Sequence, residues 1–193
     1  LMQRVICATP AKDDADHIHL LVDNNPKVPS RIAALVEGHG ESPAPVLVQM
    51  AQNLERAGAD LLAIPCNTAH AYLDPIRSAV AIPVLDMIQM TADRLAELSS
   101  QPETVGIIAS SAVLKAELYG KALEVHGLHV VLPTVADQDA VMALIRKVKS
   151  RQVSMADHQR FSDIANCLVE RGAQAIAVAC TDLSVMDQDG LIS

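Results

Sequence analysis

Cys66 and Cys180 are the side chains whose positions in the sequence best suit chemistry. Cys66 follows an apolar run at residues 61–64 and precedes Asn67 and Thr68, which are residue types that cap helices. The apolar run predicts a strand buried on both faces, as in a parallel sheet. Ligands of open α/β sheets bind just outside the carboxyl ends of strands, so the thiol is predicted to lie where ligands bind. Taken alone, Cys66 is equally well explained as a small buried hydrophobe.

The segment around Cys180 repeats the segment around Cys66, which favours a functional role for both thiols. Gly58 precedes Cys66 by 8 positions, Gly172 precedes Cys180 by the same 8, and the two copies lie 114 residues apart. Three further pairs match at that offset, namely Leu54 with Leu168, Ala59 with Ala173, and Ala63 with Ala177. Such internal duplication places one thiol at equivalent points of two similar units. Two units that face each other would bring the thiols to opposite sides of one cleft.

Four segments together resemble one enzyme family. Residues 64–70 (IPCNTAH) and 179–182 (ACTD) are similar to the two cysteine signatures of the aspartate/glutamate racemase family, and residues 9–12 and 24–31 are similar to its aspartate racemase branch. The resemblance runs through nearly the whole chain. It implies two α/β lobes with the active site between them. It also implies an activity that needs neither pyridoxal phosphate nor metal, so no cofactor is expected.

Two opposed thiols suit the reaction that the resemblance implies. Racemisation at an α-carbon needs one proton taken from one face and another delivered to the opposite face. Two bases can do this without moving, provided that one is a thiolate and the other a thiol. Because a free cysteine has a pKa of about 8.5, the surroundings must favour the thiolate at one site. The N–H groups of a helix that begins after each cysteine would act in that direction.

The resemblance also implies which side chains hold the substrate. Asn67, Thr68 and Thr181 would donate hydrogen bonds to the α-carboxylate, and helix capping is their alternative or additional role. Arg31 matches the residue that binds the side-chain carboxylate in aspartate racemases, and a guanidinium suits bidentate binding of a carboxylate. Without the resemblance, Arg31 would be assigned to the solvated start of a helix.

Lys149 resembles a second carboxylate-binding residue of the same branch. The chain is one residue shorter than the branch in this segment, so Lys147 and Arg151 compete with Lys149 for that role. Basic residues near helix ends are also common for dipole reasons alone. The sequence therefore leaves three candidates for a second cation at the site.

Two further polar positions are candidates for the site. Ser110 and Ser111 stand where the family has a polar pair at the end of the second lobe's first strand. Asp182 follows Cys-Thr, where the family more often has Glu or His. Its carboxylate could orient the Cys180 thiol, bind the substrate ammonium group or cap a helix, and the sequence leaves these roles open.

The other cysteines and the histidines are assigned to structure. Cys66 and His70 are four positions apart, a spacing that could bind a metal. No second ligand pair with matching spacing occurs in the sequence, so no metal site is predicted. Cys7 and Cys167 lie within predicted helices and are expected to be core residues.

The composition argues against several classes of partner. Of the 193 residues, 50% are hydrophobic and 2% aromatic, and the net charge is −8. An acidic chain poor in aromatic residues is unsuited to nucleic acid and to anionic membranes. Four cysteines without paired short spacing predict a reducing, cytoplasmic location, and the sequence shows neither a signal peptide nor a membrane span. The expected partners are a small amino-acid substrate and a second copy of the chain, in a homodimer.

The order of predicted elements gives the fold class. Alternating strands and helices predict an α/β protein with parallel sheets flanked by helices. The internal repeat and the family resemblance imply two similar lobes of this kind, with an active site in the cleft between them. The polar segment at residues 99–103 is the predicted boundary between a first lobe at residues 1–100 and a second at residues 101–193. Strands are predicted in the runs that lead to Cys66 and Cys180 and at residues 18–23, 82–87, 105–109 and 128–132.

These features predict a cofactor-independent racemase of aspartate or a related acidic amino acid that works through Cys66 and Cys180. Members of the family begin with an extra strand and a glycine-rich loop and continue past Ile192, so the N-terminal strand of the first lobe is expected to be missing from this sequence. A decarboxylase or a cis–trans isomerase of dicarboxylates from the same superfamily stays open as an alternative. A non-catalytic ligand-binding relative is the alternative from a different class.

Overall fold

The structure, a computed structural model, describes residues 1–186. The first half of this range is mainly helical, and the second half alternates strands with helices. The helices of the first half are α1 (Met2–Ala8), α2 (Ala44–Arg56), α3 (Leu73–Arg77) and α4 (Met87–Ala96). Shorter turns complete it, with 3₁₀ geometry at Asp14–Asp16 and Asn67–Tyr72 and π geometry at Ala33–Glu37.

A three-stranded parallel sheet lies at the centre of the second half. Its strands are β1 (Thr104–Ala109), β2 (His129–Val131) and β3 (Ala175–Ala179), arranged in the order β2-β1-β3. The helices between the strands are α5 (Ser111–Lys115), α6 (Leu118–Glu124), α7 (Val135–Lys149) and α8 (Met155–Glu170), and a 3₁₀ turn follows at Leu183–Val185. The predicted α/β class, with a parallel sheet flanked by helices, is confirmed.

Helices cover both faces of this sheet, which buries its central strand. Ile108 of β1 packs with residues of α7 and α8, including Phe161, while Ile107 packs on the other face with α4, α5 and α6. Gly106 in the middle of β1 leaves room for this packing, because a Cβ there would lie 2.6 Å from Cδ1 of Ile176 and 3.2 Å from Cβ of Ala173 and of Leu168, so these side chains would have to shift. The sheet is therefore a rigid support for the loops at its carboxyl end.

Helix α4 connects the two halves. Its residues Ile88, Ala92 and Leu95 lie in the same buried cluster as Val105 and Ile107 of β1. A boundary at residues 99–103 would thus separate α4 from the strand that it covers. The division into two lobes at that segment stays a prediction.

The first half has less sheet than the sequence predicts. A single parallel bridge joins Leu62 to Val84, within a small core formed with α2 and α3. The strand predicted at residues 18–23 is wrong, since this segment has no regular structure. Ile18 and Val22 are 60% and 57% exposed, and within residues 1–186 no strand pairs with the segment to complete a ladder.

The expected burial of two cysteines is also wrong. Cys7 is exposed on α1, a helix that has no buried residue, and Cys167 is only half-buried on α8. Both therefore lie outside the fully buried core. All four cysteines of the chain are free thiols. In residues 1–186, no helix combines the length and the apolar composition needed to cross a membrane.

Asp157 stabilises the start of α8, and we expect this effect to depend on pH. Its carboxylate accepts hydrogen bonds from Lys147 Nζ at 2.6 Å and from the N–H and hydroxyl of Ser154 at 2.9 and 2.6 Å. These hydrogen bonds, that of Lys147 foremost, lower the pKa of Asp157 to about 2. The stabilisation is present above the unfolded-state pKa of about 3.9 and is lost as the pH falls toward 2.

Asp157→Asn is therefore expected to lower the melting temperature at pH 7, and the difference from wild type should shrink between about pH 4 and pH 2. Thermal melts across this range measure it. Asp163→Asn, at an exposed position of the same helix, is the matched control. A difference that stays constant over this pH range would show that the Asp157 charge does not stabilise α8.

Candidate active site

A cavity of about 280 Å³ opens where β1 and β3 end and where the chain turns after the bridge at Leu62. Its volume suits a small ligand such as an amino acid. Nine of the residues that the sequence singled out line the cavity, whereas Ser111, Lys147 and Arg151 do not; the nine are Arg31, Cys66, Asn67, Thr68, Ser110, Lys149, Cys180, Thr181 and Asp182. The structure thus brings together residues from five separate parts of the chain.

Cys66 is half-buried and begins the 3₁₀ turn Asn67–Tyr72. Its carbonyl oxygen lies 2.9 Å from Nδ1 of the buried His70, and the N–H of Met87 at the start of α4 donates to Nε2 of the same ring at 3.1 Å. Because Nε2 accepts, the ring hydrogen must be on Nδ1, which donates to Cys66. His70 thereby ties the Cys66 backbone to α4.

His70 thus has both ring nitrogens engaged by backbone groups. His70 contacts the backbone carbonyl of Cys66, so this geometry does not resemble a metal site formed by Cys66 and His70. Within residues 1–186, no group of three or more His, Cys, Asp or Glu side chains is placed to hold a metal ion.

Cys180 follows β3 directly and is 8% exposed. Burial raises the pKa of its thiol, and the charge of Asp182 adds to this effect. The N–H of Leu183 and the charge of Lys149 act in the opposite direction without cancelling it. Cys180 is therefore a neutral thiol at pH 7, able to give a proton to a ligand in the cavity.

Two hydrogen bonds join the loops that carry the cysteines to the opposite half of the chain. The Thr181 hydroxyl donates to the carbonyl of Pro65 at 3.1 Å, which links the residues adjacent to Cys180 and Cys66. The Tyr119 hydroxyl donates to Asn67 Oδ1 at 2.6 Å. The Thr181 hydrogen is thus used within the protein here, and this bond must break before Thr181 can donate to a ligand.

Two cations, Arg31 and Lys149, line the cavity. Arg31 is half-buried and forms no ion pair within residues 1–186, and its guanidinium donates a long hydrogen bond of 3.5 Å to the Pro29 carbonyl. Lys149 lies 3.6 Å from Asp182, with both side chains partly exposed. Among the three basic residues left open by the sequence, Lys149 alone lines the cavity, because Lys147 pairs with Asp157.

Ser110 contributes a polar atom that has no partner in the protein. It is 7% exposed, and its Oγ forms no hydrogen bond within residues 1–186 although it is buried at the cavity. Ser111 differs, since its Oγ accepts a hydrogen bond from Gln138. A buried hydroxyl without a partner is costly, so a ligand that pairs with Ser110 would gain from doing so.

Sequence reasoning missed the less polar part of the lining. The additional residues are Val28, Ser30, Ile32, Ile145 and Ala179. The sequence could have indicated three of them. Val28 and Ser30 lie in the segment at residues 24–31 that also contains Arg31, and Ile145 is four positions before Lys149 on the same face of α7. Val28, Ile32, Ile145 and Ala179 form an apolar wall of the cavity, and Ser30 adds a hydroxyl.

Comparison with known proteins now identifies the class. The family model described as Asp/Glu/Hydantoin racemase matches residues 1–190. The protein is an amino-acid racemase, an enzyme of the isomerase class. It belongs to the Asp/Glu/Hydantoin racemase family, whose members act on small amino-acid substrates.

Individual relatives agree with this assignment. The chain is 27% identical over 176 residues to the broad specificity amino-acid racemase RacX of Bacillus subtilis strain 168, covering 91% of this chain and 74% of that protein. Among solved structures, the aspartate racemase of Picrophilus torridus superposes with a TM-score of 0.85 at 27% identity, covering 98% of this chain and 78% of that one. An aspartate racemase homologue from Pyrococcus horikoshii OT3 shares the fold at 24% identity and a TM-score of 0.65, covering 77% of this chain and 65% of that one.

Proposed function

We propose that the protein is a cofactor-independent racemase that interconverts L- and D-aspartate, or a related acidic amino acid, through Cys66 and Cys180. The observation that carries this is the single cavity lined by both thiols, by neutral hydrogen-bond donors and by the cations Arg31 and Lys149. The likeness to an aspartate racemase from Picrophilus torridus supports the choice of substrate.

The two cysteines divide the proton transfers between the faces of Cα. In one direction, the Cys66 thiolate takes the Cα proton and the Cys180 thiol delivers its own proton to the opposite face. Cys180 suits the second role because burial keeps its proton in place at neutral pH. One thiol and one thiolate are present before and after the reaction, and the reverse direction exchanges their roles. No cofactor is needed for these steps.

The two carboxylates of aspartate need two different anion sites. Asn67 and Thr68 beside Cys66, with Thr181 and Ser110, supply neutral donors for the α-carboxylate. Arg31 supplies the charge for the side-chain carboxylate, with Lys149 as a second cation. Asp182 is then available for the substrate ammonium group, and binding would draw it away from Lys149, 3.6 Å away.

A broader substrate range is the second candidate within this class. The relative from Bacillus subtilis is described as a broad specificity racemase, and it matches 91% of this chain. A cavity of about 280 Å³ with an apolar wall at Ile32 and Ile145 also has room for side chains other than that of aspartate. Activity on alanine and aspartate under the same conditions distinguishes a selective enzyme from a broad one.

Product analysis tests the reaction itself. L-Aspartate is incubated with the protein, and the products are separated by chiral chromatography and identified by NMR. The expected product is D-aspartate, and at equilibrium its amount should equal that of L-aspartate. Alanine would indicate a decarboxylase instead. A protein that binds aspartate and yields no product would be the non-catalytic relative. In a separate incubation with maleate, release of its dicarboxylate isomer would indicate a cis–trans isomerase.

The alkaline limit of activity should follow Cys180. Since burial and Asp182 raise the pKa of this thiol, kcat is expected to fall only above the ordinary range of a cysteine. Asp182→Asn removes one of the two causes that raise the Cys180 pKa and leaves the Lys149 charge unopposed. The Cys180 pKa is therefore expected to fall, and the alkaline limb of the rate profile to move to lower pH. Rates from pH 6 to 11 measure the shift. A limb that stays in place in this variant would remove Cys180 as the group that limits activity at high pH.

Assembly and location stay predictions. Homodimer formation can be measured by sedimentation of the purified protein. The cytoplasmic location rests on the four free thiols, which suit a reducing compartment.

A further inference from the structure

Tyr119 makes a buried hydrogen bond that joins α6 to the residue after Cys66. Its hydroxyl donates to Asn67 Oδ1 at 2.6 Å, across 52 positions of the sequence. Tyr119 is 4% exposed and Asn67 is 5% exposed, so water does not compete for this contact. A buried tyrosine hydroxyl needs a partner, and here the partner lines the cavity.

The direction of this hydrogen bond fixes the amide of Asn67. Burial raises the pKa of Tyr119 to about 12, so the phenol keeps its hydrogen at neutral pH and donates it. An amide oxygen only accepts, and the NH₂ group at the other end of the amide only donates. With Oδ1 held by Tyr119, the NH₂ group is the part of Asn67 that is left for a ligand in the cavity.

Neighbouring elements hold the phenol in place. The Tyr119 ring packs in the buried cluster formed by α4, α5, α6 and the sheet. The Thr91 hydroxyl of α4 lies beside the phenol and donates its hydrogen to the Met87 carbonyl at 2.7 Å. Met87 in turn binds His70, whose ring contacts the Cys66 carbonyl. Tyr119 therefore belongs to a connected set of buried groups around the Cys66 turn.

We propose that Tyr119 is a positioning residue, which holds the amide of Asn67 with its NH₂ group toward the α-carboxylate of the substrate. This role rests on the proposed racemase function. Negative charge builds up on the α-carboxylate as Cα loses its proton, so a donor fixed beside Cys66 stabilises the transition state more than the bound substrate. Tyr119 acts through Asn67 and need not touch the substrate.

A double-mutant cycle tests the coupling. Tyr119→Phe keeps the ring and removes the hydroxyl, and kcat/KM is expected to fall about 3–10-fold, the effect of one hydrogen bond. In the Asn67→Ala background there is no amide to orient, so the same change should leave kcat/KM unaltered. An equal loss in both backgrounds, or no loss in the wild-type background, would overturn the positioning role.

Tyrosine fluorescence gives a second readout that does not depend on turnover. The chain has two Tyr and no Trp, so Tyr72→Phe leaves Tyr119 as the only source of this emission. Aspartate binding, monitored independently by calorimetry, is expected to change the emission of Tyr72→Phe but not that of Tyr72→Phe with Asn67→Ala. Unchanged emission of Tyr72→Phe when aspartate is bound would overturn the role of Tyr119. If Tyr72→Phe shows the expected emission change on binding aspartate, while wild type forms no D-aspartate, the racemase function alone would be overturned.

Discussion

Cys66→Ser and Cys180→Ser are each expected to abolish the racemisation of aspartate. In the proposed mechanism each face of Cα is served by its own thiol, and a serine hydroxyl does not ionise near neutral pH as a thiol can. Loss of a positioned general acid or base typically lowers the rate about 10²–10⁴-fold. Formation of D-aspartate from saturating L-aspartate, followed by chiral chromatography, measures the loss.

Cys167→Ser is the matched control, because Cys167 is a half-buried free thiol of α8 that does not line the cavity. Its activity should equal that of wild type. Each site variant keeps one thiol, so each is expected to eliminate a good leaving group from the β-carbon of a substrate analogue, with opposite preferences for the two enantiomers. Near-normal racemisation in both Cys66→Ser and Cys180→Ser would remove the two-thiol mechanism.

Arg31→Ala is expected to lower kcat/KM for aspartate by about ten- to a hundredfold, since a charge-assisted hydrogen bond contributes about 1.5–3 kcal/mol. Arg31 lines the cavity and has no ion pair within residues 1–186, so its charge is available to a carboxylate. Alanine has no second carboxylate, so its kcat/KM should change far less. The measurement is kcat/KM for both amino acids in both proteins.

Arg146→Ala provides the control for a general change of charge. Arg146 is exposed on α7 and does not line the cavity, so this variant makes the same change in net charge elsewhere. It should leave kcat/KM for both amino acids close to wild type. Equal losses on aspartate and alanine in Arg31→Ala would mean that Arg31 does not bind the side-chain carboxylate, and the choice of aspartate would lose its main support.

The local pattern of the sequence predicted the residues of the cavity well. The repeat that places Cys66 and Cys180 at equivalent points is a property of short segments, in which a strand ends and a turn begins. Because parallel strands end at one edge of a sheet, equivalent positions after different strands meet there. The same rule brings Ser110, after β1, next to Cys180, after β3.

Contacts between distant residues could not be predicted in this way. The hydrogen bonds of Tyr119 with Asn67 and of Thr181 with Pro65 depend on how whole helices pack, and no spacing in the sequence encodes them. The strand expected at residues 18–23 failed for a related reason, because a strand needs a neighbour as well as a suitable composition. The choice of Lys149 over Lys147 depended on the partner Asp157, ten positions after Lys147.

Hydrogen exchange at Cα in deuterated water tests the two-thiol racemase most directly. L-Aspartate is incubated with the protein, the reaction is stopped at low conversion, and the two isomers are separated and examined by proton NMR. We expect the D-aspartate formed to carry deuterium at Cα while the remaining L-aspartate keeps its original hydrogen, because Cys66 and Cys180 serve opposite faces in the proposed mechanism. Deuterium entering L-aspartate as fast as D-aspartate would contradict two separate bases, and no exchange in either isomer would contradict the racemase.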